Sequence, residues 1–290
     1  MYTTLISAQQ LADLQKSEQA HMVFDCSFEL MQAGAGDQQY QEAHIPGAVR
    51  ADLGRHLSAA KTATDAASGG RHPLPSLETF AAWLTQIGFR NNMQAVVYDR
   101  QGVNYCGRLW WMLKWTGHEA VAVLDGGMQA WQASGGEIEQ GLSESVSKSS
   151  YASKYTLAPV DHALVATNTI AKELGRPTQT LIDARGAPRY RGEVEPLDPV
   201  AGHIPGALNR PFNLNLGADG KFKSAAELRS EFDTLLAGRD PATVVHHCGS
   251  GVSAVPNLIA MEIADLGRTA LYAGSWSEWC SDPHRPAAQG

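Results

Sequence analysis

The stretch VVHHCGSGVSAVPNLIAMEIADLG, residues 244–267, combines a short apolar run, a tight loop around one cysteine, and a helical pattern. The apolar run has the composition of a buried strand, and the segment after the loop carries apolar residues at helical spacing until Gly267. Pro256 fits the first helical turn, where a backbone N–H has no helical partner. Strand, loop and helix in this order predict one unit of a parallel α/β sheet, with Cys248 at the carboxyl end of its strand.

Similar segments occur in the same order in both halves of the chain. The matched pairs are EAHIPGAVRAD (42–52) with AGHIPGALNRP (201–211), AVVYDRQG (95–102) with TVVHHCGSG (243–251), and VAVLDGGMQAW (121–131) with TALYAGSWSEW (269–279). A strand-like run ending in Asp25 or Asp183 precedes the first pair. Near the start of each copy, Ser7 and Thr167 are predicted helix N-caps. These repeats indicate a duplicated domain.

We therefore predict an α/β protein with two tandem domains, each a mainly parallel β-sheet with helices on both faces. The 290 residues exceed the usual size of one domain, which agrees with this division. The predicted boundaries are an N-terminal domain over 1–138, a linker rich in Ser, Gly and charge over 139–156, and a C-terminal domain over 157–290.

The composition argues against several classes of protein. A net charge of −7 disfavours nucleic-acid and anionic-membrane partners, and no run is long enough to span a bilayer. The N-terminus lacks the pattern of a signal peptide. Four scattered cysteines without a C-x-x-C pair argue against a zinc site and a disulfide framework, so we expect a reduced, cytoplasmic protein. No metal and no organic cofactor is implied.

The loop CGSGVS indicates an activated thiol. Its two glycines supply the positive-φ freedom that a tight curl needs. Loop amides and the free N–H groups of the helix start are expected to point at the Cys248 sulfur and to favour its thiolate form. A buried structural cysteine is the alternative, and the strand-end position favours the reactive thiol. The predicted substrate-binding residues of the loop are Gly249, Gly251, Val252 and Ser253.

The repeated HIPGA motif, the LIDAR strand, the cysteine loop and the GSWSEW segment resemble the rhodanese family over nearly the whole chain. The resemblance implies two rhodanese-like domains, of which only the second is active, because Asp99 stands in the first copy where the second has Cys248. In this family the cysteine takes a sulfane sulfur from a donor, becomes a persulfide and passes the sulfur to a nucleophile. The resemblance therefore implies a sulfurtransferase.

The loop also bears on the sulfur donor. Loops of this family that are specialised for thiosulfate carry basic residues directly after the cysteine, whereas Gly249 and Ser250 are neutral. The CGSGV run resembles the 3-mercaptopyruvate sulfurtransferases of the family, with Ser253 a departure from their usual Thr-Ala ending. We expect 3-mercaptopyruvate as the donor, with thiosulfate as the alternative. The acceptor is expected to be cyanide, a small thiol or a thioredoxin-like protein.

The resemblance further implies a proton relay, because the pyruvate enolate that leaves mercaptopyruvate needs a proton. Ser250 matches the family's serine, His72 in GRHPLP its histidine, and Asp52 its aspartate. In such a relay the aspartate fixes the imidazole tautomer and the histidine polarises the hydroxyl. Alternatively, Asp52 caps a turn and His72 is an ordinary loop residue.

Arg189 matches the family's substrate-binding arginine, and a guanidinium suits a bidentate grip on a carboxylate. Related enzymes often carry a second arginine further along this loop, where this chain has Leu197 or Asp198. Arg191 or Arg210 could compensate, or either could be a solvated surface charge.

The loop fits two rival classes of protein less well. A C-x5-R phosphatase or arsenate reductase needs an arginine six positions after the cysteine, and this chain has Ala254 there. A non-catalytic rhodanese-like binding module generally lacks the cysteine. The second copy has Cys248 where the first copy has Asp99, and the presence of this cysteine favours an enzyme.

Overall fold

The computed structural model describes residues 1–32, 34–142, 154–158 and 164–290; positions 143–153 of the predicted linker lie outside the described residues. The chain divides into two compact units. The first unit comprises Met1–Asp65, Pro75–Val160 and Ala218–Lys221, and the second comprises Ala66–Leu74, Asp161–Gly217 and Phe222–Gly290. The sequence-based domain boundaries stay a prediction. The segment Ala66–Leu74, which contains His72, belongs to the second unit.

The first unit contains a parallel sheet with helices around it. Its described strands are β1 (Leu5–Ile6), β2 (His21–Asp25), β3 (Val49–Arg50), β4 (Gln94–Tyr98) and β5 (Val121–Leu124). Its described helices are α1 (Ala8–Lys16), α2 (Ala35–Glu42), α3 (Leu77–Gln86), α4 (Cys106–Trp115) and α5 (Gly127–Ala133). The strand order is β1-β5-β4-β2-β3, and every pair is parallel.

Both faces of this sheet are covered. On one face the side chains of β2, β4 and β5 pack against α1 and α5 in a buried cluster that includes Leu11, Val96 and Trp131. On the other face Phe24 contacts Phe89 edge-on at 5.7 Å and Trp83 of α3 at 6.2 Å. Alternating strand residues therefore lie in two separate apolar layers, as expected for a sheet between helices.

The second unit repeats the arrangement. Its described strands are β6 (Thr180–Asp183), β7 (Leu208–Asn209), β8 (Val244–His247) and β9 (Ala270–Leu271), and they form a parallel sheet in the order β7-β6-β8-β9. Its described helices are α6 (Thr167–Lys172), α7 (Ala187–Tyr190), α8 (Ala225–Leu236), α9 (Val255–Ile263) and α10 (Ser275–Trp279), with 3₁₀ turns at Phe212–Asn215 and Pro241–Thr243.

Alternation along β6 and β8 separates two core layers in this unit. Leu181 and Val245 pack in one cluster with Trp276 of α10. Ile182 and Val244 pack in the other cluster, which contains side chains of α8 and α9. Helices therefore cover both faces, and the predicted α/β class is confirmed. In the described ranges, no helix is both long and apolar enough to cross a membrane.

The HIPGA repeats form the same turn in each unit. His44 Nδ1 lies 2.7 Å from the Tyr40 carbonyl oxygen, and the two rings stack at 4.0 Å. His203 and Tyr190 repeat this contact, with a hydrogen bond of 2.8 Å and a ring separation of 3.8 Å. Both histidines therefore anchor a turn.

The two predicted N-caps differ in outcome. Ser7 caps α1, as predicted, and it also forms a capping box with Gln10. The prediction for Thr167 is wrong, because Ala166 is the N-cap of α6 and Thr167 is its first residue. The Thr167 hydroxyl instead donates to the Tyr272 hydroxyl at 3.0 Å, a contact that the local pattern does not reveal.

Candidate active site

Cys248 directly follows β8 and is 1% exposed. Two bonds hold the start of the loop against α10: Trp276 N–H donates to the Cys248 carbonyl at 3.0 Å, and Ser277 N–H donates to the Gly249 carbonyl at 2.9 Å. Because the strand end and α10 both fix its backbone, the cysteine has a defined position at the edge of the sheet.

Ser275 contributes a further contact that the sequence analysis missed. The Cys248 N–H donates to Ser275 Oγ at 3.0 Å, and this hydroxyl donates to the Tyr272 carbonyl at 2.9 Å. Ser275 has a φ of 55°, which is left-handed and uncommon for a residue with a side chain. Its counterpart in the repeat is Gly127, with a φ of 58°. The serine–glycine mismatch between the copies was the available signal.

The two loop glycines serve different purposes. Gly251 has a φ of 71°, as predicted, and a Cβ there would overlap the Ala273 carbonyl. The prediction of a positive φ for Gly249 is wrong, because Gly249 is not among the positive-φ residues. A Cβ on Gly249 would instead lie 3.0 Å from Arg71 Nη2 and 3.6 Å from Arg189 Nη1. Gly249 thus allows two guanidinium groups to approach the loop.

The remaining loop residues lead into α9. Val252 is buried, and its carbonyl accepts a hydrogen bond from Val255 N–H at 3.2 Å. Ser253 is half-buried. Pro256 lies in the first turn of α9, as predicted. Contacts of these residues with a substrate stay a prediction, and so does the ring of amides around the Cys248 sulfur.

The corresponding loop of the first unit shows how such amides are used. The Asp99 carboxylate follows β4 and accepts four backbone hydrogen bonds of 2.8–3.0 Å, from the N–H groups of Gln101, Val103, Tyr105 and Cys106. A side chain at this strand end therefore faces convergent N–H donors, and here it is an anion. In the copy that lacks the cysteine, the loop thus binds a carboxylate through its backbone N–H groups.

Replacing Asp99 with alanine should lower the free energy of unfolding by about 3 kcal/mol or more, because buried N–H groups lose their acceptor. Urea denaturation measures this loss. The matched control is Asp13→Ala, which removes an exposed carboxylate from α1 and should change stability by about 0.5 kcal/mol or less. An Asp99→Ala protein as stable as the control would contradict the stabilising role of the four N–H hydrogen bonds to the Asp99 carboxylate.

The structure brings together two of the three predicted relay residues. His72 Nδ1 lies 2.9 Å from Ser250 Oγ, and Ser250 is 7% exposed. Asp52 belongs to the first unit, where its carboxylate accepts from the N–H groups of Gly54 and Arg55 at 2.9 Å and pairs with Arg50 at 3.1 Å. These bonds are those of a turn-capping aspartate. Its place in the relay stays a prediction.

Asp183 and Arg185 form a buried ion pair at the end of β6, next to β8. The pair has an Nη2–Oδ2 distance of 2.6 Å. Burial alone would raise the pKa of Asp183, but the nearby His247 and Arg185 outweigh it and hold this pKa below its ordinary value. Burial likewise lowers the pKa of Arg185, but the charges of Asp183, Glu195 and Cys248 outweigh it and raise this pKa. Arg185 thus brings a fixed positive charge near the cysteine.

Arg189 lies beside the loop and is held by carboxylates. Its Nη2 lies 2.7 Å from Glu195 Oε1 and 3.2 Å from Asp198 Oδ2. Arg71 pairs with the other oxygen of Asp198, at 2.6 Å. Burial raises the pKa of the Asp198 carboxyl, and the Glu195 charge adds to this against the two arginines. The sequence analysis missed Arg71, although it immediately precedes His72.

Neither arginine named as a possible replacement lies in this cluster. Arg191 is exposed and pairs with Glu193 at 2.7 Å. Arg210 is buried, pairs with Glu231 at 2.7 Å and stacks over Phe232, a core residue next to α9. Arg191 is thus a surface charge. Arg210, by contrast, forms a buried structural ion pair with Glu231 and is not a solvated surface charge.

The chemical groups of the site are a thiol, a serine–histidine pair and arginines. Among the described residues there is no cluster of histidine, cysteine and carboxylate side chains suited to a metal ion. All four cysteines are free and buried. These groups suit nucleophilic chemistry at one sulfur, followed by transfer of a bound group.

A duplicated α/β fold with a thiol at one strand end, and a carboxylate at the equivalent position of the other copy, defines the class of protein. The model of the rhodanese-like domain matches residues 7–134 and 167–282. The chain is 45% identical to a provisionally named 3-mercaptopyruvate sulfurtransferase of Pseudomonas aeruginosa, over 99% of this chain and 98% of the relative. The chain belongs to the rhodanese family.

Two further comparisons agree with this result. The chain is 38% identical to a provisionally named thiosulfate sulfurtransferase of Mycobacterium tuberculosis, over 99% of this chain and 97% of the relative. The solved structure of 3-mercaptopyruvate sulfurtransferase from Leishmania major is 30% identical, with a TM-score of 0.80, covering 98% of this chain and 75% of that one. The predictions of the family and of a sulfurtransferase are confirmed.

Proposed function

We propose that the enzyme transfers a sulfane sulfur from 3-mercaptopyruvate, through a persulfide on Cys248, to a thiol or cyanide acceptor. The choice of donor rests on one hydrogen bond. Ser250, two residues after the nucleophile, has its hydroxyl 2.9 Å from His72 Nδ1. Mercaptopyruvate is the donor whose leaving group needs a proton, and this pair is the proton source that the site offers. The similarity to 3-mercaptopyruvate sulfurtransferases supports the same choice.

In the first half-reaction the Cys248 thiolate attacks the sulfur of mercaptopyruvate. A sulfur–sulfur bond forms, the carbon–sulfur bond breaks, and the electron pair goes to carbon as the pyruvate enolate. The Ser250 hydroxyl protonates this carbon, and His72 returns a proton to Ser250. In this proposal Asp52 would fix the histidine tautomer.

In the second half-reaction the acceptor attacks the outer sulfur of the persulfide. The acceptor–sulfur bond forms, the persulfide bond breaks, and the electron pair returns to Cys248 as thiolate. Cyanide would yield thiocyanate, whereas a thiol would yield its own persulfide. A small thiol or a thioredoxin-like protein is the proposed acceptor.

Thiosulfate is the second candidate donor, supported by the similarity to the thiosulfate sulfurtransferase of Mycobacterium tuberculosis. The same nucleophile would serve, and sulfite would leave without a proton. The two residues after the cysteine, Gly249 and Ser250, are neutral and provide no extra charge for a dianion. We therefore keep thiosulfate as the weaker substrate.

With cyanide as the common acceptor, kcat/KM should be at least about tenfold higher for mercaptopyruvate than for thiosulfate, a difference of about 1.4 kcal/mol in transition-state binding. Initial rates over a range of each donor give the two values. A thiosulfate value equal to or above the mercaptopyruvate value would assign the second candidate.

The cytoplasm is the proposed compartment. Support comes from the four cysteines, which are all free thiols, since oxidising compartments favour disulfides. A persulfide-forming thiol also needs to stay reduced between turnovers. Fractionation of cells with antibody detection tests this proposal.

A further inference from the structure

We propose that the first unit contains a second small-molecule site, a cleft between β3 and α3 that binds an aromatic carboxylate. This unit lacks the nucleophilic cysteine, and all described lining residues of the cleft belong to it. The inference goes beyond the proposed function and does not depend on which sulfur donor the enzyme uses.

The cleft has a volume of about 930 Å³ and is bounded by β3, the turn that follows it and α3. The described lining residues include two arginines, Arg50 and Arg55, and no carboxylate. Leu142 is 77% exposed at its edge, although it is a large apolar side chain. Rings and aliphatic groups form much of the wall, namely those of Tyr40, Val49, Pro75, Trp83, Ile87 and Leu142. An apolar cleft of this size with positive lining residues suits a flat, apolar anion.

Two lining residues have hydrogen-bond donors without a partner among the described residues. Ser58 is 9% exposed, and its hydroxyl makes no hydrogen bond in this part of the chain. His56 Nδ1 accepts from the Asp52 N–H at 3.0 Å, so the neutral ring carries its proton on Nε2, for which the described residues offer no acceptor. Burial and the charge of Arg55 lower the pKa of His56, which keeps this ring neutral. A ligand with acceptor atoms would satisfy both donors.

Arg55 adds a positive charge and a third donor. Its side chain is 57% exposed, and its Nη2 lies 2.5 Å from Asp37 Oδ1, whereas its Nη1 makes no hydrogen bond within the described ranges. In Arg50, by contrast, each side-chain nitrogen is bonded, to Asp37, to the Asp25 carbonyl or to Asp52, at 3.0–3.1 Å. Arg50 is therefore structural, and Arg55 is the arginine that can contact a ligand. Because Asp37 and Asp52 offset much of the positive charge, the cleft suits a monoanion.

The position of the His56 donor is fixed by ring packing. The His56 ring stacks on Trp83 with a centroid separation of 5.1 Å and an angle of 14° between the planes. Trp83 in turn stacks on Phe80, a buried residue of α3, at 5.7 Å. A donor that is already oriented lowers the entropic cost of binding an acceptor.

The second unit satisfies the equivalent position internally. Asn215 corresponds to His56, since each lies twelve residues after the histidine of its HIPGA motif. The buried Asn215 amide accepts from Arg210 at 2.9 Å and donates to the Phe212 carbonyl at 3.0 Å and to Asn257 at 2.6 Å. Both copies share the fold, so the unpartnered donor of His56 arises from the residues of the first unit and not from the architecture.

The test uses 2-naphthoate as the probe and 2-naphthamide, which has the same rings without the charge, as the reference. Isothermal titration calorimetry of the full chain should show one naphthoate bound per chain. Its Kd should be at least about tenfold lower than that of the amide, because a carboxylate accepts charge-assisted hydrogen bonds. Equal affinities for the two compounds would contradict the part assigned to the donors.

A variant that fills the cleft tests the location of the site. Ala82 is exposed on α3 and lines the cleft, so Ala82→Phe should weaken naphthoate binding by about tenfold or more through steric exclusion. The matched control is Glu78→Phe, at an exposed position of the same helix that does not line the cleft, and it should leave the affinity unchanged. Thermal melting of both variants checks that the fold is retained.

Ser58→Ala separates ligand binding from a purely structural role. Because the Ser58 hydroxyl has no partner in the described part of the chain, its removal should not lower Tm. The same change should weaken naphthoate binding by about fivefold, the usual effect of losing one hydrogen bond. A lower Tm with unchanged naphthoate binding would contradict a ligand role for Ser58. This variant keeps the test decisive even if Ala82→Phe does not fold.

Two results would overturn the inference as a whole. One is the absence of naphthoate binding to the unchanged enzyme. The other is binding that Ala82→Phe leaves as tight as before, which would place the ligand elsewhere, for example at the sulfur-donor site. Neither result depends on the turnover of mercaptopyruvate or thiosulfate, so the proposed function is tested separately.

Discussion

Replacing Cys248 with serine should abolish turnover with both donors, lowering kcat/KM on the order of 10⁴-fold or more. The reason is that the sulfur is carried on a covalent bond, and a serine hydroxyl forms no stable bond of this kind to a sulfane sulfur. Because Cys248 is 1% exposed and its backbone is fixed by α10, the smaller serine should be accepted without loss of the fold. Rates measured with cyanide as acceptor, together with thermal melting, test both statements.

The control for this variant is Cys280→Ser, another buried free thiol of the second unit. Burial raises the pKa of the Cys280 thiol, which packs in a core cluster with Trp276 and Trp279. Its replacement should affect stability rather than turnover. Substantial activity in Cys248→Ser would contradict the nucleophile assignment and would mean that another group carries the sulfur.

The second large effect concerns the proton that the enolate requires. Ser250→Ala should lower kcat for mercaptopyruvate about 10²-fold or more, within the usual range for loss of a general acid. Thiosulfate turnover should change little, because sulfite leaves as a stable anion and needs no proton. His72→Gln should show the same selectivity, since its ring lies 2.9 Å from the Ser250 hydroxyl.

The two variants should also be non-additive. If Ser250 and His72 act as one unit, the double variant should be about as slow as the slower single one. Ser281→Ala, which removes an exposed hydroxyl bonded to the Glu278 carbonyl, is the matched control. Equal losses of kcat with both donors in Ser250→Ala would contradict the proton relay.

Much of the fold follows from local pattern. The β-branched runs, the helical spacing and the repeated HIPGA motif predicted two parallel α/β units, because these signals act over a few residues each. Pro256 and Ser7 were placed correctly for the same reason. Thr167 was not, because the backbone at Ala166 and the hydroxyl of the distant Tyr272 decide where that helix begins.

The site is harder to predict because its contacts join distant segments. The pairing of Arg71 with Asp198 spans the chain from a loop in the first half to one in the second, and no local pattern marks it. The purpose of Gly249 likewise depends on which side chains approach it. The hydrogen bonds of Asp99 could have been expected from the repeat, since a buried carboxylate at the position of Cys248 needs N–H donors.

The central claim is that Cys248 carries the transferred sulfur. The most direct measurement is peptide mass spectrometry of the enzyme after brief exposure to 3-mercaptopyruvate without an acceptor. The account predicts one added sulfur atom on the Cys248 peptide, removed on addition of cyanide, and none on Cys26, Cys106 or Cys280. An unmodified Cys248 peptide in an enzyme that turns over mercaptopyruvate, or the added sulfur on another cysteine, would contradict it.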